Sequence, residues 1–270
     1  MTESLPPLDD AYPLSQDQIE AYRRDGHVML RGLLSPEEVA AYRRAILDAV
    51  ERLNKETRPL EERDTYGKAF LQIMNLWVQD DNVRPLVLAK RIGQVAAKLM
   101  NVDRARLYHD QALFKEPGGG PTPWHQDQHY WPLETDDTTT MWMPLVDADT
   151  SMGTMRFASG SQTEGYLGDM PISDQSERLF EELVAKKGYR IVESGAMKAG
   201  DATFHSGWTL HGAPGNSSDR MREVMTIIFF PDGTRVGPTD NQNRIADLNA
   251  WLPGLQTGDL AASEINPVLG

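Results

Sequence analysis

The sequence predicts a mainly β fold with flanking α-helices, an antiparallel sandwich or barrel of the jelly-roll kind. Three observations carry this expectation. The segments 106–115, 138–146, 153–158, 202–206 and 221–230 are short, β-branched or aromatic, and separated by clusters of Gly, Pro, Asn and Asp. Helical spacing dominates before Arg106 and gives way there. Finally, a chain of 270 residues with 40% hydrophobic content can bury one substantial core, so a single domain over 1–270 is expected.

The elements follow in order. Residues 1–14 are polar and Pro-rich with no period, which reads as a loose leader. Ser15 then precedes a helical pattern through Ile19 and Tyr22. Ser35, Pro36, Glu37 and Glu38 combine an N-cap, a first-turn proline and early acids before Val39, Tyr42, Ile46 and Val50 at helical spacing. Between these two helices, His27–Gly32 is short and β-prone. A third helix is expected over about 83–100, and another over about 174–187 between the two halves of the β region. The stretch 232–270 is rich in Asp, Asn, Pro and Gly and is expected as a C-terminal tail packed on the core, with a short helix near Ile245–Trp251.

The formal charge of −13 opposes a phosphate backbone, so no nucleic-acid partner is expected. The absence of Cys removes disulfides, thiolate metal sites and cysteine nucleophiles. Neither a signal-like N-terminus nor an apolar run of membrane-spanning length is present, so the expected location is cytoplasmic with no membrane partner.

The chemistry centres on His125-Gln126-Asp127. In an extended segment, residues two apart point to the same face, so one strand can offer an imidazole and a carboxylate together. One distant His would complete a 2-His-1-carboxylate facial triad, which leaves coordination positions open for substrates, whereas structural zinc takes four closed ligands. The loop Gly118-Gly119-Gly120-Pro121-Thr122-Pro123 delivers the strand to a rim, and Trp124, Tyr130 and Trp131 supply apolar walls. His205 and His211 are both candidates for the second histidine. They lie six apart, and His211 directly precedes Gly212 and the turn at Pro214-Gly215-Asn216, a strand-end position suited to a barrel mouth. His205 suits a supporting role. His27, His109 and His129 have no partner spacing, and His129 reads better as an exposed loop residue than as a substrate contact.

Four stretches, DGHVMLRGLLSPEEV from Asp25, WHQDQHYW at 124–131, MGTMRFASGSQ at 152–162 and HGAPGNSSDRMR at 211–222, resemble in order and spacing the phytanoyl-CoA dioxygenase family of Fe(II)/2-oxoglutarate oxygenases. The resemblance runs from about residue 15 to the end. It implies a double-stranded β-helix (cupin-like) core, His125 and Asp127 on one strand as iron ligands, and His211 rather than His205 as the distal ligand. One local departure is Ala158-Ser159-Gly160-Ser161-Gln162, where the family commonly reads Pro-Gly-Ser-His in a segment that does not bind metal.

A dianionic 2-oxo acid needs a cation at its far carboxylate, and Arg offers two parallel charge-assisted hydrogen bonds. Arg222 shares a face with Val224, Thr226 and Ile228, so its charge sits on an otherwise apolar side. The family's carboxylate-binding Arg, eleven residues after the distal His, also selects Arg222. Gln111 and Lys115 share a face of the 106–115 strand and, with Trp142, are the further co-substrate candidates that the resemblance implies. His129, Tyr130, Trp131, Met141 and Met143 suggest a partly apolar substrate pocket.

The resemblance thus implies a dioxygenase using Fe(II), 2-oxoglutarate and O2. Because Asp127 occupies the position where related halogenases carry a small residue, hydroxylation of an unactivated C–H bond of a small metabolite or natural-product intermediate is expected. Desaturation, cyclisation or epimerisation use the same cofactors. A non-catalytic metal-binding barrel acting as sensor or interaction module would share the ligands, and a zinc hydrolase would not explain a buried Arg222.

Overall fold

The structure, a computed structural model, describes residues 5–269. Its helices are α1 (Gln16–Asp25), α2 (Pro36–Leu53), α3 (Thr65–Ala69), α4 (Leu76–Gln79), α5 (Arg84–Val87), α6 (Lys90–Met100), α7 (Asp174–Lys187) and α8 (Gln242–Trp251). The strands are β1 (His27–Leu30), β2 (Leu71–Met74), β3 (Ala105–Phe114), β4 (Thr122–His125), β5 (Thr139–Pro144), β6 (Arg156–Ser159), β7 (Arg190–Glu193), β8 (Ala202–Ser206), β9 (His211–Ala213), β10 (Val224–Pro231) and β11 (Val268–Leu269).

Two antiparallel sheets face each other, as the jelly-roll expectation requires. The larger runs β1-β8-β5-β10-β3-β11 with β2 also on β3, and the smaller runs β4-β9-β6-β7. The larger sheet has two different faces. Met141, Met143, Phe204, Met225, Ile227 and Phe229 point outward and pack with Tyr42, Ile46, Ile92 and Ala96 of α2 and α6 into the main core. Residues one step along the same strands point inward, because side chains alternate with a period of two. One inward row crosses the sheet as Trp142, Thr226, Gln111 and Met74, each paired with the next by register. Met141 and Met143 therefore do not line a substrate pocket, contrary to the sequence expectation.

Local signals explain the helix positions. Ser15 and Ser35 form capping boxes with Gln18 and Glu38, and Gly26 ends α1 in the left-handed region. α7 covers the smaller sheet, where Phe180 and Val184 pack on Trp124, Ala158 and Leu210. The helix expected over 83–100 is broken into α5 and α6, with Ala89 extended at ψ 125. The break receives the N-terminal segment. Leu8 O accepts from Arg91 N, Leu8 is buried, and the Arg91 guanidinium binds Glu38, Asp10 and Leu33 O. Residues 5–14 are thus stitched to α6 rather than loose; the first four residues of the expected leader lie outside the described residues. The C-terminal stretch packs on the barrel through Leu252 and Ala261, and β11 pairs with β3. Among the described residues no helix is long and apolar enough to cross a membrane.

Candidate active site

The space between the sheets holds a cavity of about 530 Å³. His125 ends β4 and His211 opens β9, and these two are direct cross-strand partners with ring centroids 4.1 Å apart. Asp127 does not continue the strand; it begins a 3-10 turn, Asp127–His129. Gln126 is still extended at φ −117 and ψ 124, so both side chains keep the same side despite the strand's earlier end. One ligand atom each from His125, Asp127 and His211 lies within 4.8 Å of the others. The close approach of β4 and β9 depends on Gly212, where a Cβ would lie 2.8 Å from Thr122 O.

The second contacts of these side chains decide which atoms are free. His125 Nδ1 lies 2.8 Å from Pro123 O and His211 Nδ1 lies 2.9 Å from Thr209 O, so both rings donate there as N–H. That tautomer leaves each Nε2 with a lone pair toward the cavity. Asp127 Oδ2 accepts from Thr140 Oγ1 at 2.9 Å and from His205 Nε2 at 3.2 Å, while Oδ1 faces His125 Nε2 at 3.4 Å and His211 Nε2 at 3.6 Å. Burial would raise the Asp127 carboxyl, but the surrounding imidazoles, His205 with its hydrogen bond among them, outweigh it and hold it well below its usual range. Burial, reinforced by His125 and His205, keeps His211 well below the usual histidine range. Two neutral imidazoles and one carboxylate converging from one side fit a divalent iron with open positions.

His205 is thus inside the site, holding the carboxylate oxygen turned away from the centre. Thr140, which sequence reasoning passed over, does the same from β5. The alternation Thr140-Met141-Trp142 carried that signal, because Thr140 must share the inner face with Trp142.

Arg222 lies just before β10, in a bridge with Lys115, and its side chain is 1% exposed. Its Nη1 donates to Gly153 O, its guanidinium carbon sits 5.3 Å from the Trp142 ring centre, and Nε has no partner. Gly153 adopts φ +76 with Pro214 O only 2.2 Å from where a Cβ would be, so no other residue could present that carbonyl there. Among the described residues Arg222 makes no ion pair. Burial pulls its pKa down to about 9, which still leaves it cationic at neutral pH. A buried cation that lines a cavity and has no ion-pair partner among the described residues fits a carboxylate ligand.

The other expected residues separate. Gln111, Trp142, Tyr130 and Trp131 line the cavity. Lys115 does not: its buried amino group donates to Gly120 O at 2.6 Å and Pro214 O at 3.1 Å, tying the two loops behind Arg222. His129 also fails as a wall residue and is not exposed. It is buried at 2%, stacks on Tyr166 and meets Asn243 at 3.2 Å, because the 3-10 turn aims it beneath α8. Tyr66 of α3, Phe70 just after it, and Asn243, Asp247 and Trp251 of α8 complete the cavity and were not anticipated.

Comparison with known proteins places this geometry. The family model described as Phytanoyl-CoA dioxygenase (PhyH) matches residues 22–224. An ectoine dioxygenase of Bordetella parapertussis is 25% identical over 240 residues, covering 80% of this chain and 75% of that protein. Among solved structures, the non-haem α-ketoglutarate-dependent carbocyclase SnoK from nogalamycin biosynthesis superposes with a TM-score of 0.78 at 25% identity, covering 96% of this chain and 97% of SnoK. The epimerase SnoN, solved with Fe3+, α-ketoglutarate and nogalamycin RO, gives a TM-score of 0.76 at 27% identity over 94% of this chain and 98% of SnoN.

Proposed function

The chain belongs to the phytanoyl-CoA dioxygenase family and is an enzyme dependent on iron and 2-oxoglutarate; from that premise we propose that it hydroxylates an unactivated C–H bond of a small metabolite or natural-product intermediate, releasing succinate and CO2. The observation that carries the reading is the meeting, in one cavity, of the His125, Asp127 and His211 ligand atoms with the unpaired buried Arg222.

In this proposal His125 and His211 hold the iron through Nε2 and Asp127 through Oδ1. Arg222 takes the far carboxylate of 2-oxoglutarate, with Trp142 and Gln111 as neighbouring walls. Bound iron with 2-oxoglutarate supplies the activation of O2, the co-substrate giving up two electrons as it becomes succinate and CO2. Pro123 O and Thr209 O fix the two imidazole tautomers before any metal arrives. Thr140 and His205 hold Asp127 Oδ2, so that only the other oxygen is presented. Tyr130, Trp131 and Trp251 enclose the neighbouring volume, excluding water and orienting an apolar part of the substrate.

The likeness to a carbocyclase and an epimerase supports a second reading, in which the same site closes a ring or inverts a stereocentre. Candidate substrates incubated with Fe(II), 2-oxoglutarate and O2 separate the two. Stoichiometric succinate with a product one oxygen heavier supports hydroxylation. Succinate with a product of unchanged mass, or lighter by two hydrogens, replaces it with the second reading.

A further inference from the structure

α8 presents Asn243, Ala246, Asp247, Ala250 and Trp251 to the cavity, a spacing that places all five on one helical face. Asn243, Asp247 and Trp251 are half-buried, and this face of α8 borders the cavity. Tyr66, Phe70, Tyr130 and Trp131 are further aromatic walls of the same cavity. Their polar ends are already engaged where it matters: Tyr66 donates to Gln72 Oε1 at 2.9 Å, and the Tyr130 oxygen accepts from Ile172 N at 2.7 Å.

Asp247 is the one carboxylate on this face. Its Oδ2 accepts from the buried Tyr108 hydroxyl at 3.1 Å, and among the described residues no Lys, Arg or His makes an ion pair with it. Arg222 is the single Arg lining the cavity, no Lys lines it, and Asp127 is its other acid. The Tyr66 and Tyr130 hydroxyls feel the fields of both Asp127 and Asp247, so the second carboxylate lies within electrostatic reach of the first. Burial pushes the Asp247 carboxyl up to about 7 against hydrogen bonds from Tyr108 and Trp251, the expected consequence of a desolvated acid lacking a cation.

Such a group penalises an anionic substrate and is relieved by a cationic one, and aromatic faces add attraction for the same charge. The second acid is unnecessary for the metal, since His125, Asp127 and His211 form the ligand cluster without it. Resting on the oxygenase reading above, we propose that Asp247 is a specificity-determining residue that, with the surrounding aromatic walls, receives a protonated amine on the substrate.

The test uses the Fe(II)- and 2-oxoglutarate-loaded protein under anaerobic conditions, titrated calorimetrically with 2-phenylethylamine, 2-phenylethanol and 3-phenylpropionate as cationic, neutral and anionic probes. Wild type should bind the amine about tenfold or more tighter than the alcohol, and the carboxylate weakest. Asp247→Asn keeps the size of the side chain and an acceptor for Tyr108; it should erase the preference for the amine. Its 2-oxoglutarate affinity should stay at the wild-type value, which reports a folded site. Equal binding of amine and alcohol, a preference that survives Asp247→Asn, tightest binding of the carboxylate, or no binding of the amine would each overturn the proposal. Loss of 2-oxoglutarate binding by the wild-type protein would instead strike the oxygenase reading on which it rests.

Discussion

Replacing Arg222 by leucine is expected to cost most of the 2-oxoglutarate affinity while leaving the ligand-free protein as stable as before, or more stable. The guanidinium is 1% exposed and faces no protein anion among the described residues. Burial draws its pKa from 12.5 to about 9. At about 1.4 kcal/mol per unit, that corresponds to a desolvation cost of order 5 kcal/mol. Leucine removes this cost and also forfeits the bond to Gly153 O and the contact with Trp142, together about 1–3 kcal/mol. The net effect on the apo fold is therefore zero to a few kcal/mol in favour of the variant. For the ligand, two charge-assisted hydrogen bonds of about 1.5–3 kcal/mol each disappear, so Kd should rise roughly 10²- to 10⁴-fold. Anaerobic calorimetry of the Fe(II)-loaded variant measures this, beside thermal unfolding of the apo protein. Arg222→Lys should fall between, because the charge returns without the planar fork. A 2-oxoglutarate Kd within about threefold of wild type, or a melting temperature lowered by several degrees, would refute the reasoning.

Other substitutions probe neighbouring parts of the account. His205→Phe and Thr140→Val each free Asp127 Oδ2 and should weaken Fe(II) binding about 10- to 100-fold, read by chelator competition, with far-UV circular dichroism unchanged; undiminished iron affinity would contradict the positioning role. Lys115 is drawn by burial from 10.5 down to about 6, so between those values the unfolded chain binds the extra proton and stability should rise with pH, by up to about 1.4 kcal/mol per unit. Urea unfolding of Lys115→Met against wild type at about pH 6.5 and about pH 8.5 should show that slope flattened in the variant, and parallel slopes would remove Lys115 as its source. Asp110, fully buried, accepts from Leu76 N at 2.9 Å and caps α4, so Asp110→Ala should cost about 1–3 kcal/mol in the same assay; a loss below about 0.5 kcal/mol would show that the cap is dispensable.

Much of this was legible in the chain itself. The spacing of Leu179, Phe180, Leu183 and Val184 predicts a helix over about 174–187, and α7 has those bounds, because a capped amphipathic helix is a local object. The paired His125 and Asp127 were visible through their separation of two, which survives even though the strand ends between them. The choice of His211 over His205 was not legible from spacing, since both are buried in the site and differ in what Asp127 offers them, a long-range contact. Lys115 and His129 misled for a related reason. Alternation assigns a face but not the partner waiting there, and Gly120 O with Pro214 O captured Lys115 before it reached the cavity. The α8 wall lay in a stretch rich in turn-forming residues, where composition concealed a one-faced stripe at 243, 246, 247, 250 and 251.

The most direct test of the shared site is the visible charge-transfer band that 2-oxoglutarate produces when it chelates Fe(II). The wild-type protein, loaded with Fe(II) without oxygen, should develop this band on adding 2-oxoglutarate and convert the co-substrate to succinate once O2 is admitted. Asp127→Ala should do neither. A wild-type protein that holds Fe(II) at His125, Asp127 and His211 yet shows no band and forms no succinate, or an Asp127→Ala protein that retains both in metal-defined buffer, would contradict the account.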